Sequence, residues 1–298
     1  MTSTIGIAAI FNIAAALMYG IGDDRFNAGT GGLIANSNDF ATHLLFVLPF
    51  LLWIALTAQN KFLRVISFCA FLAGIVVGAH TGSRGALLSL LVVLLVVFFH
   101  ADNSVRIVTV LTVPVLFLVL AYALPSGLID RYMTLFGTSE TAGTSEAVAS
   151  SAARTMLMME SIELTLTHPI LGVGPNQFSN VAGKDRLARG IHGMWQPPHN
   201  SYLQVASEEG LPAFFFFLGT VIVSYRMLSR CYSRCAGRPE LRKLRLASLC
   251  MMMSTMGYGI ASCFVNMPYY FYAPALAGLA IALTRVTENE LKSAPVPA

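Results

Sequence analysis

The strongest constraint on this sequence is a series of apolar runs, each about 17 to 20 residues long, which is the length of helix that crosses a hydrocarbon layer of ~30 Å. Charged residues make up 11% of the chain, whereas about a quarter is usual in a soluble domain. A soluble fold is therefore excluded, and the sequence predicts an all-α integral membrane protein. The predicted spans, about eight in number, lie near residues 4–22, 41–58, 62–80, 84–100, 106–124, 210–228, 246–264 and 268–285. The first run has no basic region and no cleavage site, which predicts a retained span instead of a signal peptide.

A long polar segment from about Leu124 to Glu209 separates the first five predicted spans from the last three. We therefore expect three parts. The first transmembrane bundle covers residues 1–124, the polar loop covers 125–209, and the last bundle with its C-terminal tail covers 210–298. A membrane protein that devotes over a quarter of its length to one loop usually places its function there.

Short helices are predicted inside this loop. Apolar residues at three-to-four spacing predict a helix over Ala152–Thr167, with Ser150 or Ser151 as its N-terminal cap. The stretch before it, Gly137–Ser151, is small, polar and low in complexity, which predicts a mobile segment. A second short helix is predicted over Asn200–Glu209.

The distribution of basic residues predicts the orientation in the membrane. If both termini are cytoplasmic, the inner segments hold twelve Lys and Arg residues and the short outer loops hold only Arg25 and Arg84. This places the polar loop at the periplasmic face of a bacterial inner membrane. The net charge of +4 comes mostly from the inner segment Arg226–Arg245, and topology and anionic lipid explain it without a nucleic-acid partner.

Three side chains are predicted to sit at helix starts on this outer face. Arg84 opens the fourth span with Ser83 as its cap, Arg154 falls in the first turn of the loop helix, and His199 precedes the helix that begins at Asn200. A helix N-terminus binds anions, whereas an arginine there is unfavourable for the helix itself. Guanidinium groups suit phosphate oxygens. The pattern therefore predicts an anion site, with His199 kept neutral as a general base.

Simpler interpretations remain open for each of these residues. Arg84 could snorkel to the interface from the end of a span, and Arg154 could pair with a loop carboxylate or be solvated. His199 could be a structural, hydrogen-bonded residue. The carboxylates of the first outer loop could hold a catalytic metal, but the outer histidines and the pair Cys231 and Cys235 lack the spacing of a zinc site. No metal or cofactor is predicted.

Together, several motifs resemble the O-antigen ligase/polymerase superfamily. They are Gly82-Ser83-Arg84-Gly85-Ala86-Leu87-Leu88 at a span start, Arg154 ahead of Gly172-Val-Gly174, Pro198-His199-Asn200, and Glu209-Gly210-Leu211. The resemblance runs from about Arg25 to Tyr270. Arg25, with Gly29 and the run Asn36-Ser37-Asn38, resembles a further family motif less closely.

The resemblance implies an O-antigen ligase-like glycosyltransferase of the lipopolysaccharide pathway. Such enzymes move a glycan from undecaprenyl diphosphate to a sugar of lipid A-core at the periplasmic face, without metal or nucleotide. The implied partners are thus the lipid-linked glycan, the lipid A-core acceptor and membrane lipid. The implied catalytic residues are Arg84, Arg154 and His199, and the implied substrate-binding residues are Arg84, Arg154, Arg25, Ser83 and Asn200. Direct displacement would invert the anomeric centre.

Three alternatives to this function remain. A polymerase of the same superfamily would use a second polyprenyl-linked glycan as acceptor. A transporter of lipid-linked sugars would carry ionisable groups deep in its spans, whereas these span interiors are almost free of charge. The third alternative is a truncated, non-catalytic relative that only scaffolds partners. It is considered because family members usually have more spans and this chain begins at what resembles their fifth.

Overall fold

The computed structural model describes residues 2–19, 36–100, 102–133, 142–191 and 195–293. These residues form α-helices joined by short connections, and none of them is in a β-strand. The helices are α1 (Thr2–Tyr19), α2 (Ser37–Thr57), α3 (Lys61–His80), α4 (Arg84–His100), α5 (Asn103–Ala123), α6 (Ser126–Met133), α7 (Ala142–Thr167), α8 (Phe178–Ala188), α9 (Ser201–Arg234), α10 (Arg242–Ala261) and α11 (Tyr272–Ser293). The predicted all-α fold is confirmed.

Three of these helices, α2, α3 and α9, are long and apolar enough to cross a membrane. The Ile5–Met18 part of α1 and the whole of α4 are apolar but shorter. Each of the eight predicted spans overlaps one helix, and residues 210–228 form the middle of α9. The chain is thus a helical membrane protein, and the number of helices that cross the bilayer stays a prediction.

Asparagine caps explain where several helices begin. The side-chain oxygens of Asn36, Asn60 and Asn200 each accept a hydrogen bond from a backbone N–H group in the first turn of α2, α3 and α9, at 2.9, 2.9 and 3.0 Å. An asparagine in this position satisfies one of the N–H groups that the helix itself leaves unpaired.

The core of the bundle lies between α2 and α10. α2 packs against α3 and α10, and α10 also packs against α4 and α9. Leu51, Met252 and Tyr258 are fully buried at these contacts. The Ser254 hydroxyl donates to the Phe46 carbonyl at 2.8 Å, which links α10 to α2 through the kind of small polar side chain that membrane helices use for close packing.

The polar segment folds into α6, α7 and α8, which lie against the bundle. α7 packs along α9 and also contacts α6. The buried guanidinium of Arg186 in α8 makes two hydrogen bonds of 2.8 Å to the carboxylate of Glu160 in α7. This paired geometry fixes both the distance and the angle between two helices. Beside it, Leu157 and Phe178 are buried together.

The predicted start of the loop helix is wrong. The helix predicted over Ala152–Thr167 begins ten residues earlier, at Ala142, so Ser150 and Ser151 lie inside α7 and do not cap it. The residues from 142 to 153 include five alanines, and alanine has the highest helix propensity. Of the predicted mobile stretch, residues 142–151 are helical, and residues 137–141 lie outside the described part of the chain.

Candidate active site

The turn before α4 places Arg84 at the start of that helix. Gly82 has a φ of 59°, a left-handed conformation that glycine adopts without steric cost. The Ser83 side-chain oxygen accepts a hydrogen bond from the Ala86 backbone N–H at 3.3 Å, so Ser83 caps α4 as predicted. Arg84 is therefore the first residue of α4, in the turn whose backbone N–H groups have no partner within the helix.

Helix α6 brings a further arginine to this turn. Arg131 donates from its Nε to the Gly82 carbonyl at 2.9 Å, and the Tyr132 hydroxyl donates to the Ala79 carbonyl at 2.9 Å. Arg131 was not among the predicted site residues. Pro125, directly before α6, is a helix-start signal that could have located this helix, although nothing in the sequence indicates where the helix packs.

Arg154 completes a group of three arginines. Burial lowers the pKa of Arg154 below its usual value, and the positive charges of Arg84 and Arg131 lower it further. The positive charges of Arg84 and Arg131 therefore both act on Arg154. We call Arg84, Arg131 and Arg154 the arginine cluster.

The predicted location of Arg154 in a first helical turn is wrong. Because α7 begins at Ala142, Arg154 lies near the middle of this helix, and the dipole at a helix start does not act on it. Its position instead follows from the packing of α7 against α6 and α9. The structure thus brings Arg154 to Arg84 by tertiary contacts.

His199 lies directly before α9 in a strained backbone conformation. Its φ of 52° is in the left-handed region, which is uncommon for residues other than glycine. The Asn200 side-chain oxygen accepts hydrogen bonds from the backbone N–H groups of Tyr202 and Leu203, each at 3.0 Å. Any contact of Asn200 with a substrate would therefore come from its amide nitrogen.

The electrostatic environment keeps His199 neutral. Burial lowers the pKa of the imidazole below its usual value, and the positive charge of Arg154 lowers it further. The sequence predicts a neutral His199 from its place at a helix start, whereas in the structure burial is the main cause of the lowered pKa. A neutral imidazole at pH 7 can accept a proton, so His199 has the protonation state of a general base.

One turn of the chain holds the starts of α4 and α9 together. The Ser201 backbone N–H donates to the Ser262 carbonyl at 2.7 Å, and its hydroxyl donates to the Val265 carbonyl at 2.8 Å. In the same turn, Phe264 packs so closely on Gly85 that a Cβ atom there would lie 2.6 Å from the Phe264 Cβ. The turn after α10 therefore fixes the position of His199 relative to Arg84.

The loop from Pro169 to Pro175, here the 169–175 loop, is bonded to the kink in α9. The helix predicted to end before Gly210 does so, because Gly210 has a non-helical φ of 85° and ψ of 175° inside α9. The Val173 and Gly174 N–H groups donate to the carbonyls of residues 207 and 208 at 2.9 and 2.8 Å. The Leu211 N–H donates back to the carbonyl of Pro169 at 2.8 Å. Both family-like motifs, Gly172-Val-Gly174 and Glu209-Gly210-Leu211, thus serve one structural contact.

A buried carboxylate secures this contact. Glu208 is 1% exposed, and its oxygens accept hydrogen bonds from the backbone N–H groups of Asn176 and Phe178 at 3.1 and 3.0 Å. The Tyr269 hydroxyl donates at 2.6 Å and the Gln204 amide at 3.2 Å. Four donors make burial of this carboxylate favourable. Glu208 was not predicted from the sequence, because its partners lie in three separate segments.

Replacing Gly172 should test how much the 169–175 loop contributes to stability. In Gly172→Ala, the added Cβ atom would lie 2.2 Å from the Glu208 carbonyl carbon, at a φ of 63°. We expect backbone strain and overpacking together to lower the free energy of unfolding by about 2 to 5 kcal/mol. The change is measured as a fall in the thermal unfolding temperature. The matched control is Gly190→Ala, which has a φ of 78° and nothing within 4 Å of the added atom. Equal losses in the two variants would show that the close contact does not matter.

The structure does not describe Arg25 and His192, two further residues of the predicted outer face. His168 is exposed, and its ring hydrogen-bonds to the neighbouring Thr167 hydroxyl. His80 is half-buried, and its ring hydrogen-bonds to the Val76 carbonyl in the same helix. In the described part of the chain, no three His, Cys, Asp or Glu side chains come together as a possible metal site.

The sequence pattern of the O-antigen ligase family matches residues 69–218, which is just over half of the chain. This chain belongs to the O-antigen ligase family. Members of the family are membrane glycosyltransferase-like enzymes, either ligases or polymerases, and their substrates are lipid-linked glycans. None of the curated proteins matches the chain.

The match covers the part of this O-antigen ligase family member in which the site residues converge. His199 and the three residues of the arginine cluster all fall between residues 69 and 218. The 169–175 loop and the Gly210 kink fall there as well. The turn after α10, which anchors Ser201, lies beyond the matched residues.

Proposed function

We propose that this chain is an O-antigen ligase that moves a glycan from undecaprenyl diphosphate to a sugar of lipid A-core. The observation that carries the proposal is the convergence of the arginine cluster with a neutral His199. Each of the three arginines carries a positive charge, and a diphosphate supplies several negative oxygens that such groups bind. Guanidinium groups can bind these oxygens in pairs.

The proposed reaction is a direct displacement at the anomeric carbon of the glycan. The acceptor hydroxyl oxygen forms a bond to that carbon, while the bond from the carbon to the diphosphate oxygen breaks. His199 takes the proton of the acceptor hydroxyl, and the undecaprenyl diphosphate leaves as an anion. Attack from the side opposite the leaving group inverts the anomeric centre.

The chain's cations act mainly on the leaving group. Diphosphate is already a good leaving group, so it needs stabilisation of its developing charge more than it needs a proton. The arginine cluster provides that charge, and Ser83, Asn200 and Arg25 are proposed to contact substrate beside it. The scheme uses no metal and no nucleotide.

The proposed topology has about eight spans, with both termini in the cytoplasm of a bacterial cell. The loop of residues 125–209, between bundles at 1–124 and 210–298, would then lie in the periplasm. The excess of basic residues on the opposite side supports this orientation. The donor diphosphate lies at the surface of the bilayer, which is where helix starts such as that of α4 meet water.

Reconstitution tests the proposal directly. The purified chain in lipid vesicles receives an undecaprenyl-diphosphate glycan, with and without lipid A-core, and the products are sized by mass. We expect glycan on lipid A-core, and vesicles without protein serve as the control. Longer glycans on the undecaprenyl carrier, formed without lipid A-core, would show a polymerase. Absence of both products, beside an active relative, would contradict any transferase activity of this chain.

A further inference from the structure

A second cationic cavity lies at the end of the bundle opposite the candidate active site. It has a volume of about 380 Å³ and is lined by residues at the ends of α9 and α10 and by Asp102, which follows α4. α4 runs from Arg84 in the site to His100 beside the cavity, a helix of 17 residues and so roughly 25 Å. The two sites are therefore separated by the length of the bundle.

One wall of the cavity is a fixed guanidinium group. Arg245 donates to both carboxylate oxygens of Asp102 at 3.0 and 3.2 Å, and to the Tyr232 hydroxyl at 3.0 Å. It also stacks on the Tyr232 ring, with 4.6 Å between the guanidinium carbon and the ring centre. The Tyr232 hydroxyl in turn donates to the carbonyl of His100. Asp102 thus provides the counter-charge of Arg245.

Two further arginines, the half-buried Arg238 and the exposed Arg242, line the same cavity. Arg238 and Arg242 form no side-chain hydrogen bond or ion pair with any residue that the structure describes, and the single acidic residue among those lining the cavity, Asp102, pairs with Arg245. Arg242 also opens α10, where a positive charge is unfavourable for the helix. A bound anion would relieve both effects.

The cavity also has an apolar side. Leu249 lines it together with the Tyr232 ring, directly beside the charged groups. A free inorganic ion has no apolar group to contact this surface, whereas a phospholipid carries a phosphate next to a glycerol and acyl chains. Because the cavity lies where α9, a candidate membrane span, ends, it is within reach of lipid headgroups.

We propose that this cavity binds the phosphate of an anionic phospholipid headgroup through Arg238 and Arg242. Guanidinium groups bind phosphate oxygens through paired, charge-assisted hydrogen bonds. The lipid would hold the ends of α4, α9 and α10 together at the end of the bundle away from the chemistry. The proposal does not rest on the identity of the glycan donor.

Native mass spectrometry of the full chain tests this site. The protein in detergent is mixed with equal amounts of phosphatidylglycerol and phosphatidylcholine that have identical acyl chains, and the retained lipids are counted. We expect the wild type to retain phosphatidylglycerol about tenfold or more over phosphatidylcholine. The double variant Arg238→Gln/Arg242→Gln should lose this preference. The matched control, Arg226→Gln/Arg285→Gln, makes the same change of charge at exposed positions outside the cavity and should keep it.

Two further measurements complete the test. Retention of phosphatidylglycerol by the wild type should fall as the sodium chloride concentration rises from about 0.05 to 0.5 M. This measurement does not depend on the folding of any variant. Inorganic phosphate is added as a competitor, and we expect it to displace the lipid only in large excess. Displacement at equal concentration would identify a soluble phosphate as the ligand and contradict a lipid site. Equal retention of the two lipids by the wild type, or an unchanged preference in the cavity variant, would overturn the proposal.

Discussion

The His199→Ala variant is expected to bind the lipid-linked donor as the wild type does but to transfer glycan about 10²- to 10⁴-fold more slowly, the usual contribution of a positioned general base. The reason is that alanine cannot accept the proton of the acceptor hydroxyl, whereas the arginine cluster still binds the diphosphate. Turnover is measured in vesicles with saturating donor and acceptor. Donor binding is measured separately by retention of the donor on the purified variant.

His168→Ala is the matched control for this experiment. His168 is an exposed histidine that follows α7, and its ring hydrogen-bonds to the neighbouring Thr167 hydroxyl. Its loss should leave turnover unchanged. Normal turnover in His199→Ala would remove the base from the proposed mechanism, and equal loss of donor binding and turnover would instead assign His199 to the donor site.

The pH dependence of the rate gives a second readout of the same residue. Burial and the charge of Arg154 lower the pKa of His199 in the folded protein below the usual histidine pKa of about 6.5. The imidazole therefore stays neutral until the pH falls below about 6.5. Transfer by the wild type should therefore decline only below that pH. In Arg154→Gln the repulsion is gone while burial remains, so the pKa should rise and the acid decline should move to higher pH. An identical acid decline in both proteins would show that Arg154 does not act on His199.

The all-α fold and the helices of the predicted spans were predictable because their signals are local. The helices α6 and α8 of the polar segment were not predicted. A run of apolar residues and an asparagine cap both act within one turn or one helix, and the caps at Asn60 and Asn200 are where the helices begin. The cap at Ser83 and the break at Gly210 were predicted for the same reason. Such features need no knowledge of what packs against them.

The arrangement of the site depends on contacts between distant segments, and these were not predictable from the sequence. Arg131 reaches Gly82 across 49 residues, and Glu208 accepts hydrogen bonds from a loop some thirty residues earlier. No local pattern indicates such pairs. Arg154 was identified for a wrong reason, since it does not lie at a helix start, yet packing of α7 brings it to Arg84. The residue type of Arg154 indicated a candidate site residue, whereas its predicted position at a helix start was wrong.

The arginine cluster gives the second large effect. Arg154→Ala should lower kcat/KM for the donor by about 10- to 150-fold, which corresponds to the ~1.5–3 kcal/mol of a hydrogen bond to a charged group. The loss should appear as a raised KM for the donor together with a lowered kcat, because the cluster binds the diphosphate before the chemical step and stabilises its developing charge during that step. Arg84→Ala should behave in the same way.

Arg154→Lys separates charge from geometry. Lysine keeps the positive charge but cannot form the paired hydrogen bonds of a guanidinium, so donor use should recover only in part. The matched control is Arg189→Ala, which removes an exposed arginine of the same polar segment that pairs with Asp185 at 2.7 Å. This control should leave the donor KM unchanged, since a solvent-exposed ion pair contributes little. A donor KM that is normal in Arg154→Ala and Arg84→Ala would show that the diphosphate is bound elsewhere, and that the convergence of these charges serves another anion.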